Sequence, residues 1–450
     1  MTIKRQKYLD KLIVRKGNGL IKVVTGSRRC GKSFLLFTLF KKHLLSKKIP
    51  VDHIIEAALD DEEHEELLDR HVLGEYVRSK IKDDNMYYVL LDEIQEVDGF
   101  ERVLNGFLKM SNVDVYVTGS NSTLLSSEIS SIFKDRGDEI RMHPLSFSEF
   151  MSVYEGSKSE GWDEYFMYGG LPLVLSYKNV EDKEDYLIRL FEKTYLSDII
   201  ERRKIRSKDE LDELVNILAS SIGSFTNPTK LENTFKSEKK IEFSRQTINT
   251  YIGYLKDAYI LSDAQRYDIK GKKYINTPVK YYFEDTGLRN ARLNFRQTEE
   301  THIMENIIYN ELKIRGFKVD VGLVEKYGKN ENLKTTKSIY EVDFIANRGS
   351  KKYYIQSALS LPSSEKENQE KRSLLEIKDS FKKIIVIKDD INHAAMKTEL
   401  LRSGCGISCL MKIRWSCKLD RQHCIFYFSL RASLIQFFFR YLRQFFLQKQ

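Results

Sequence analysis

Cysteine is nearly missing from the first 390 residues of this chain: Cys30 stands alone, and Cys405, Cys409, Cys417 and Cys424 all follow Ile391. A body with one cysteine cannot carry a disulfide framework, which excludes the stapled secreted scaffolds and suits a reducing cytoplasm. The later cysteines are spaced C-x3-C, C-x7-C and C-x6-C, with His423 directly before Cys424, and this matches no zinc template. Long apolar runs are missing as well. Thr2–Lys16 alternates charges with single apolar residues and has no leader-like core, so a cytoplasmic protein is expected. The aromatic run from Phe437 is interrupted by Arg440 and Arg443, with Arg431 before it, and stable insertion across a membrane is therefore not expected. An excess of one charge is absent from the body. Of the net +9, the segment after Asp390 supplies +8, from ten Lys/Arg against two Asp/Glu, and the remainder is close to neutral. No global footprint for a polyanion follows, although a local patch can still exist. No internal repeat is visible.

What is present is a globular composition, with 41% hydrophobic and 31% charged residues over 450 positions, enough for two or three domains. Between about residues 20 and 125, short apolar runs alternate with helical periodicity. Leu20–Thr25, Tyr87–Leu91 and Val113–Thr118 read as strands, and Lys32–Leu45 reads as a helix. This pattern predicts a parallel sheet covered on both faces. Asp60–Asp69 is acidic and reads as a solvated helix face or loop. From Leu145 the chain becomes aromatic and turn-rich, with YFMYGGLP at Tyr165–Pro172, and Tyr186–Ile222 is mostly helical. Pro228–Phe235, Ser244–Leu255 and a hairpin-like Gln265–Phe283 turning at Gly271 follow in the order of a winged helix-turn-helix, with Ser244 as a helix cap. A third unit shows a helix at Met304–Ile314, strands at Tyr340–Ala346, Tyr353–Ala358 and Lys383–Ile387, and a lysine-rich flexible loop at Gly328–Ser338.

One motif carries specific chemistry. Gly26-Ser27-Arg28-Arg29-Cys30-Gly31-Lys32-Ser33 fits G-x4-G-K-[ST] at every fixed position, with a strand before it and a helix after it. The glycines allow successive backbone N–H groups to face phosphates, and the helix start adds its positive dipole end. Lys32 is expected on the β- and γ-phosphates of ATP, and the Ser33 hydroxyl on Mg²⁺. The strand Tyr87–Leu91 ends in Asp92-Glu93, two carboxylates at the carboxyl edge of the same sheet. Asp92 is expected to hold Mg²⁺ and Glu93 to polarise the attacking water.

These residues, with L-D-E-I-Q at Leu91–Gln95, T-G-S-N-S at Thr118–Ser122 and YGGLP at Tyr168–Pro172, resemble a prokaryotic family of AAA-type P-loop ATPases whose C-terminal half is a domain of unknown function. The resemblance spans about Thr2–Asp390. It implies ATP binding and hydrolysis, and a polar sensor at the end of the third strand, Ser120 or Asn121. It also implies nucleotide-linked homo-oligomers in which a neighbour's arginine completes the site. Where that family has Gly-Arg-Tyr, this chain has Asp135-Arg136-Gly137. Arg136 is then a trans-acting finger or an exposed helix-end arginine, with Arg202 and Arg203 as competitors. The expected organisation is a P-loop domain over 1–175, a helical and winged-helix domain over 176–300, a small α/β domain over 301–390 and an atypical basic tail over 391–450.

Two partner classes stay open for the second half. Arg245, Lys256, Arg266, Lys270, Lys272 and Lys273 cluster near the winged-helix pattern and suit DNA phosphates or solubilise a protein-binding surface. Glu305, then Glu341-Val-Asp343, then Gln356-Ser-Ala358 follow the order of a restriction-endonuclease-like fold, whose metal site needs an Asp and an E-x-K. Here Q-S-A replaces E-x-K, removing a ligand and a cation, so nuclease activity is not expected. The tail reads as a membrane-surface helix, as ordinary structure, or as sequence translated from a shifted frame that packs on nothing.

Overall fold

Residue alternation along the apolar runs decides how the first sheet is covered. The computed structural model of the chain describes residues 2–120, 133, 136–297, 299–329, 335–388, 419–420 and 425–429. Strands β1 (Ile21–Gly26), β2 (Ile54–Ala58), β3 (Tyr87–Asp92), β4 (Val113–Gly119) and β5 (Gly137–Met142) form a sheet in the order β2-β3-β4-β1-β5, and every pairing is parallel. Ile21, Val23, Val89, Leu91, Val115 and Val117 enter one apolar cluster, while Val24, Tyr88, Leu90 and Tyr116 enter the other. Successive side chains of a strand point to opposite faces, so a strand apolar at every position must be covered on both. The expected parallel sheet is present.

Lys22 interrupts this pattern on β1, and its ammonium is fully buried against Asp114 of β4, which also accepts from the Tyr116 hydroxyl at 2.7 Å. The helix expected from Lys32 is present, wound in π fashion over Phe34–Phe40 and as an α-helix over Lys41–Ser46. The acidic stretch forms a 3-10 segment at Glu62–Leu68, followed by a helix Arg70–Lys80 capped by Asp69, whose carboxylate accepts from His71 N and Val72 N.

The chain divides into two compact units that are not consecutive blocks. One comprises residues 1–153, 169–208 and 249–261; the other comprises 154–168, 209–248 and 262–450. In the second unit the helix Lys158–Tyr168 joins the helix Thr286–Arg292 through the Asn290 amide, which donates to the Phe166 and Met167 carbonyls at 3.2 and 2.8 Å. Contacts this far apart in sequence leave no local trace.

The second unit is built on a mixed sheet. Its strands are β6 (Phe225–Thr226), β7 (Leu261–Asp268), β8 (Lys273–Phe283), β9 (Lys318–Lys329), β10 (Thr335–Arg348), β11 (Lys351–Ala358), β12 (Lys382–Ile387), β13 (Leu419–Asp420) and β14 (Ile425–Ser429). They lie in the order β13-β14-β12-β11-β10-β9-β7-β8-β6. The helices Pro228–Thr234 and Arg245–Asp257 precede β7 and β8 as expected, and Ser244 accepts from Thr247 N at 3.1 Å. The two strands do not stand free as a wing, because β7 pairs in parallel with β9 and β8 pairs with β6.

Two expectations are corrected. Gly328–Ser338 is not a loop throughout, since Gly328 and Lys329 pair with Thr336 and Thr335 and the ladder continues through Ser338. Cross-strand pairs such as Lys337 with Glu325, 2.5 Å apart, let a polar, lysine-rich stretch stay extended. Residues 330–334 lie outside the described residues. The tail does pack on the preceding strands over Ile425–Ser429, which pairs in parallel with β12. An Ile-Phe-Tyr-Phe run suits a sheet edge, and β12 offers unpaired backbone there. The readings of the rest of the tail fall outside the described residues. Among those described, no helix is long and apolar enough to cross a membrane.

Candidate active site

Strand β1 ends at Gly26, where the chain leaves the sheet through a tight loop. Gly26 has φ +144°, and a Cβ there would lie 2.1 Å from the Met142 carbonyl oxygen on β5; Gly31 has φ +98°. Both positions need glycine, and the loop they allow is the one the motif implies. Lys32 is 4% exposed, and its Nζ donates to the Gly26 and Ser27 carbonyls, both at 3.2 Å. It also lies 3.8 Å from Glu93 Oε1. These contacts are long, and an anion at the loop would draw the ammonium from them.

Across the carboxyl edge of the sheet, Asp92 is buried at the end of β3 and accepts hydrogen bonds from the Ser33 and Thr118 hydroxyls. Burial raises its pKa, and those two hydroxyls and Lys32 offset part of the rise. Glu93 takes a left-handed backbone at φ 49°, an uncommon position for a non-glycine residue. Three neighbours fix it there. Its N–H donates to Thr118 Oγ1 at 3.0 Å, and its Oε2 accepts from Ser120 N at 3.1 Å, from Ser120 Oγ at 2.7 Å and from the Gln95 amide. Burial alone would raise the Glu93 pKa, but Lys32, Gln95 and Ser120 outweigh it and hold the carboxyl below its ordinary value. Glu93 is therefore an ionised carboxylate at neutral pH, as a group that polarises water must be.

A cavity of about 520 Å³ opens beside Lys32 and Glu93. Its polar wall holds Gly31, Lys32, Ser33, Glu93 and Ser120, and Ile3, Leu145, Pro172 and Leu173 add an apolar wall. Arg28, Arg29 and Cys30 line it as well. Ser33 and Asp92 together offer hard oxygen donors. A Mg²⁺ ion takes only one or two protein oxygens and fills its shell from phosphates and water, so this pair fits it.

The remaining candidates fall in different places. Ser120 joins Glu93, whereas Asn121 lies outside the described residues. Arg136 is exposed, beside Gly137, which pairs with Ile21 at the start of β1; the loop lies at the other end of that strand. It donates to Asn105 Oδ1 at 3.3 Å. Arg202 is held by Asp198 at 2.6 Å and Glu96 at 2.9 Å, and Arg203 by Asp257 at 3.0 Å. Among the basic residues near the second helix pair, Arg245 lies 3.8 Å from Glu232, Arg266 covers the Phe225 ring and Lys270 donates to the Glu325 carbonyl. Lys272 is exposed in the β7–β8 turn and Lys273 at the start of β8.

Sequence reasoning gave no role of their own to Thr118 and Gln95, which it quoted only within the T-G-S-N-S and L-D-E-I-Q motifs, and it did not reach Tyr195. Thr118 had a signal, because a threonine ending the strand beside β3 must face Asp92. Tyr195 had none: its hydroxyl reaches the Arg28 carbonyl at 2.8 Å across 167 positions of sequence.

Comparison with known proteins agrees with this geometry. Residues 18–151 match a family model described as an AAA domain, and residues 159–299 match one described as a domain of unknown function. An uncharacterized protein of Haemophilus influenzae is 33% identical over 390 residues, covering 85% of this chain and 93% of its own. An uncharacterized protein of Methanocaldococcus jannaschii is 29% identical over 375 residues, covering 80% of this chain and 79% of its own. Among solved structures, AMPPCP-bound DnaA from Aquifex aeolicus is similar at 14% identity and a TM-score of 0.28, covering 56% of this chain and 87% of its own.

Proposed function

The chain belongs to the prokaryotic AAA-type P-loop ATPases that carry a C-terminal domain of unknown function, and from that premise we propose that it binds ATP with Mg²⁺ and hydrolyses it to ADP and phosphate. The observation that carries this reading is the meeting of Lys32, Ser33 and an ionised Glu93 around one cavity, with Asp92 hydrogen-bonded to the Ser33 hydroxyl. Lys32 and the loop N–H groups bind the β- and γ-phosphates. Ser33 and Asp92 hold Mg²⁺, which neutralises charge on the phosphates when bound. Glu93 orients the attacking water, and Ser120 or Asn121 senses the γ-phosphate. Ile3, Leu145, Pro172 and Leu173 take the adenine, which gives the YGGLP segment a task in the site.

We assign the nucleotide chemistry to 1–175, with 176–300 and 301–390 as the module it controls and 391–450 as an appendage. The exposed lysines of the β7–β8 turn suit DNA or an acidic protein partner. We assign Arg136, exposed at the end of β1 away from the loop, to the site of a neighbouring copy in a nucleotide-linked homo-oligomer, with Arg202 and Arg203 as its competitors. The single buried Cys30 in the body fits a cytoplasmic setting.

A second reading has its own support. Glu93 is held by Ser120 and Gln95 and faces Lys32, so its carboxylate is already engaged by protein groups. A site resting in that arrangement turns over rarely and serves as a nucleotide switch. Phosphate release by wild type and Glu93→Gln decides between the two. Mg²⁺-dependent release well above the variant, with ATP binding equal in both, supports the ATPase. Equal release with tight binding in both, with or without DNA, favours the switch.

A further inference from the structure

Far from the nucleotide loop in sequence, the second unit buries a charged cluster that the proposed function does not use. Lys280 and Tyr282 alternate onto one face of β8, as Glu341 and Asp343 do on β10, and Glu305 projects from the helix Glu300–Ile314. Lys280 is 4% exposed. Its Nζ donates to Glu305 Oε1 at 2.8 Å and pairs with Glu341 Oε1 at 2.5 Å. The Tyr282 hydroxyl donates to the same Glu305 oxygen at 2.6 Å. Asp343 is buried within the electrostatic reach of Lys280, Glu305 and Glu341, and its Oδ2 accepts from Ser357 N at 2.7 Å. Gly223, at φ +67°, approaches so closely that a Cβ would lie 3.3 Å from Glu305 Oε2.

Three carboxyl groups gathered around one point form the donor set that a hard divalent cation takes, and the order of elements here resembles folds that use one. The residues do not fit such an ion as they stand. The central point is taken by the ammonium of Lys280. Strand β11 contributes only Gln356, Ser357 and Ala358, and the Gln356 amide oxygen accepts from Ser373 instead. Among the described residues no group of three acidic, histidine or cysteine side chains is arranged to hold a metal.

We infer that Lys280 is a tethered cation standing where a divalent metal would otherwise sit, so that the second unit balances its own carboxylates and needs no ion there. Carboxylates left without a counter-charge in such a site repel one another and cannot be rehydrated cheaply. Lys280 supplies that charge on a strand outside the acidic elements, which ties β8 to β10 and to the helix bearing Glu305. The missing carboxylate and lysine on β11 are then compensated for folding, and not for metal chemistry.

The test uses the full chain without nucleotide, with Mn²⁺ as the probe. Lys280→Met keeps the aliphatic stem and removes the charge. The variant is expected to melt well below wild type, to take up one Mn²⁺ more than wild type in titration calorimetry, and to regain part of its melting temperature with that ion. The extra uptake should vanish in Lys280→Met/Asp343→Asn. Uptake in both wild type and variant at the P-loop cancels in the comparison. Adding Glu305→Gln to Lys280→Met removes one orphaned carboxylate and should restore stability without metal. No extra Mn²⁺ in the single variant overturns the inference, and so does a destabilisation that Glu305→Gln deepens. If Lys280→Met fails to fold, the double variant with Glu305→Gln decides: a soluble, folded protein supports the inference and an equally insoluble one overturns it.

Discussion

At the scale of single residues, the site separates binding from chemistry. Lys32→Ala deletes the ammonium proposed to reach the phosphates, and hydrogen bonds to charged groups contribute about 1.5–3 kcal/mol each. ATP affinity is expected to fall by ~10- to 100-fold, read by titration of a fluorescent ATP analogue. Glu93→Gln keeps the shape and the Ser120 contacts but loses the charge that orients water; kcat should fall by ~10²–10⁴ while the Kd for ATP stays within a few-fold. Asp343 gives a pH signature in the other unit. Burial first, and Glu305 second, hold its pKa well above the ordinary value, with Lys280 and Ser357 pulling the other way. The folded carboxyl thus keeps a proton that the unfolded one has released. That stability is fully present below the unfolded pKa and is lost as pH rises through the folded one. Asp343→Asn is permanently neutral and its Oδ1 can still accept from Ser357. Its melting temperature relative to wild type should therefore climb as pH rises above the ordinary carboxylate range, and a flat difference would contradict this account.

Secondary-structure elements show which parts of this protein can be read without coordinates. The loop Gly26–Ser33 and the pair Asp92-Glu93 were legible because fixed spacing, a preceding strand and a following helix are all local. The parallel sheet was legible because its strands are short apolar runs, broken at few positions such as Lys22 and Asp114, with helical stretches between them. Lys280 and Tyr195 were not, since each works through a partner far away in sequence. The stretch Gly328–Ser338 misled for a related reason: polarity alone suggests a loop, and the cross-strand partners that keep it extended are visible only once β9 and β10 are aligned. The segment Phe191–Arg202 is the clearest example of a hidden element. Asp198 holds Arg28 and Arg202, each at 2.6 Å, and the Tyr195 hydroxyl reaches the Arg28 carbonyl. This helix is therefore fastened to the phosphate loop itself. The ion pairs are half-exposed and contribute little, but the tyrosine is buried, and losing one such hydrogen bond costs about 1 kcal/mol. Tyr195→Phe is expected to weaken ATP binding by ~5-fold with a smaller effect on kcat. An unchanged affinity would mean that the loop holds its shape without this helix.

For the whole molecule, the question is what the last sixty residues do, since they hold nearly all of the net charge. One of the three readings of their composition was a segment that packs on nothing, yet Ile425–Ser429 extends the second sheet by pairing with β12 along five residues. Truncation after Asp390 therefore has two separable effects. The phosphate loop, Asp92 and Glu93 lie in the first unit, which has apolar clusters on both faces of its own sheet. ATP affinity in the truncated chain should match the full-length value within about 2-fold, because a unit with its own core folds on its own account. The second unit loses the strand that covers β12, and a bare parallel edge of Lys-Lys-Ile-Ile-Val-Ile invites pairing with another chain. Its thermal transition should fall and become dependent on protein concentration. Net charge also drops to about +1, which weakens the repulsion that keeps copies apart. Differential scanning calorimetry with and without ATP separates the two effects: the transition that ATP raises should be unmoved by truncation, and the other should shift down. If the second transition stays in place and the truncated chain is more soluble, the pairing of Ile425–Ser429 adds nothing to stability, and the appendage is dispensable to both units.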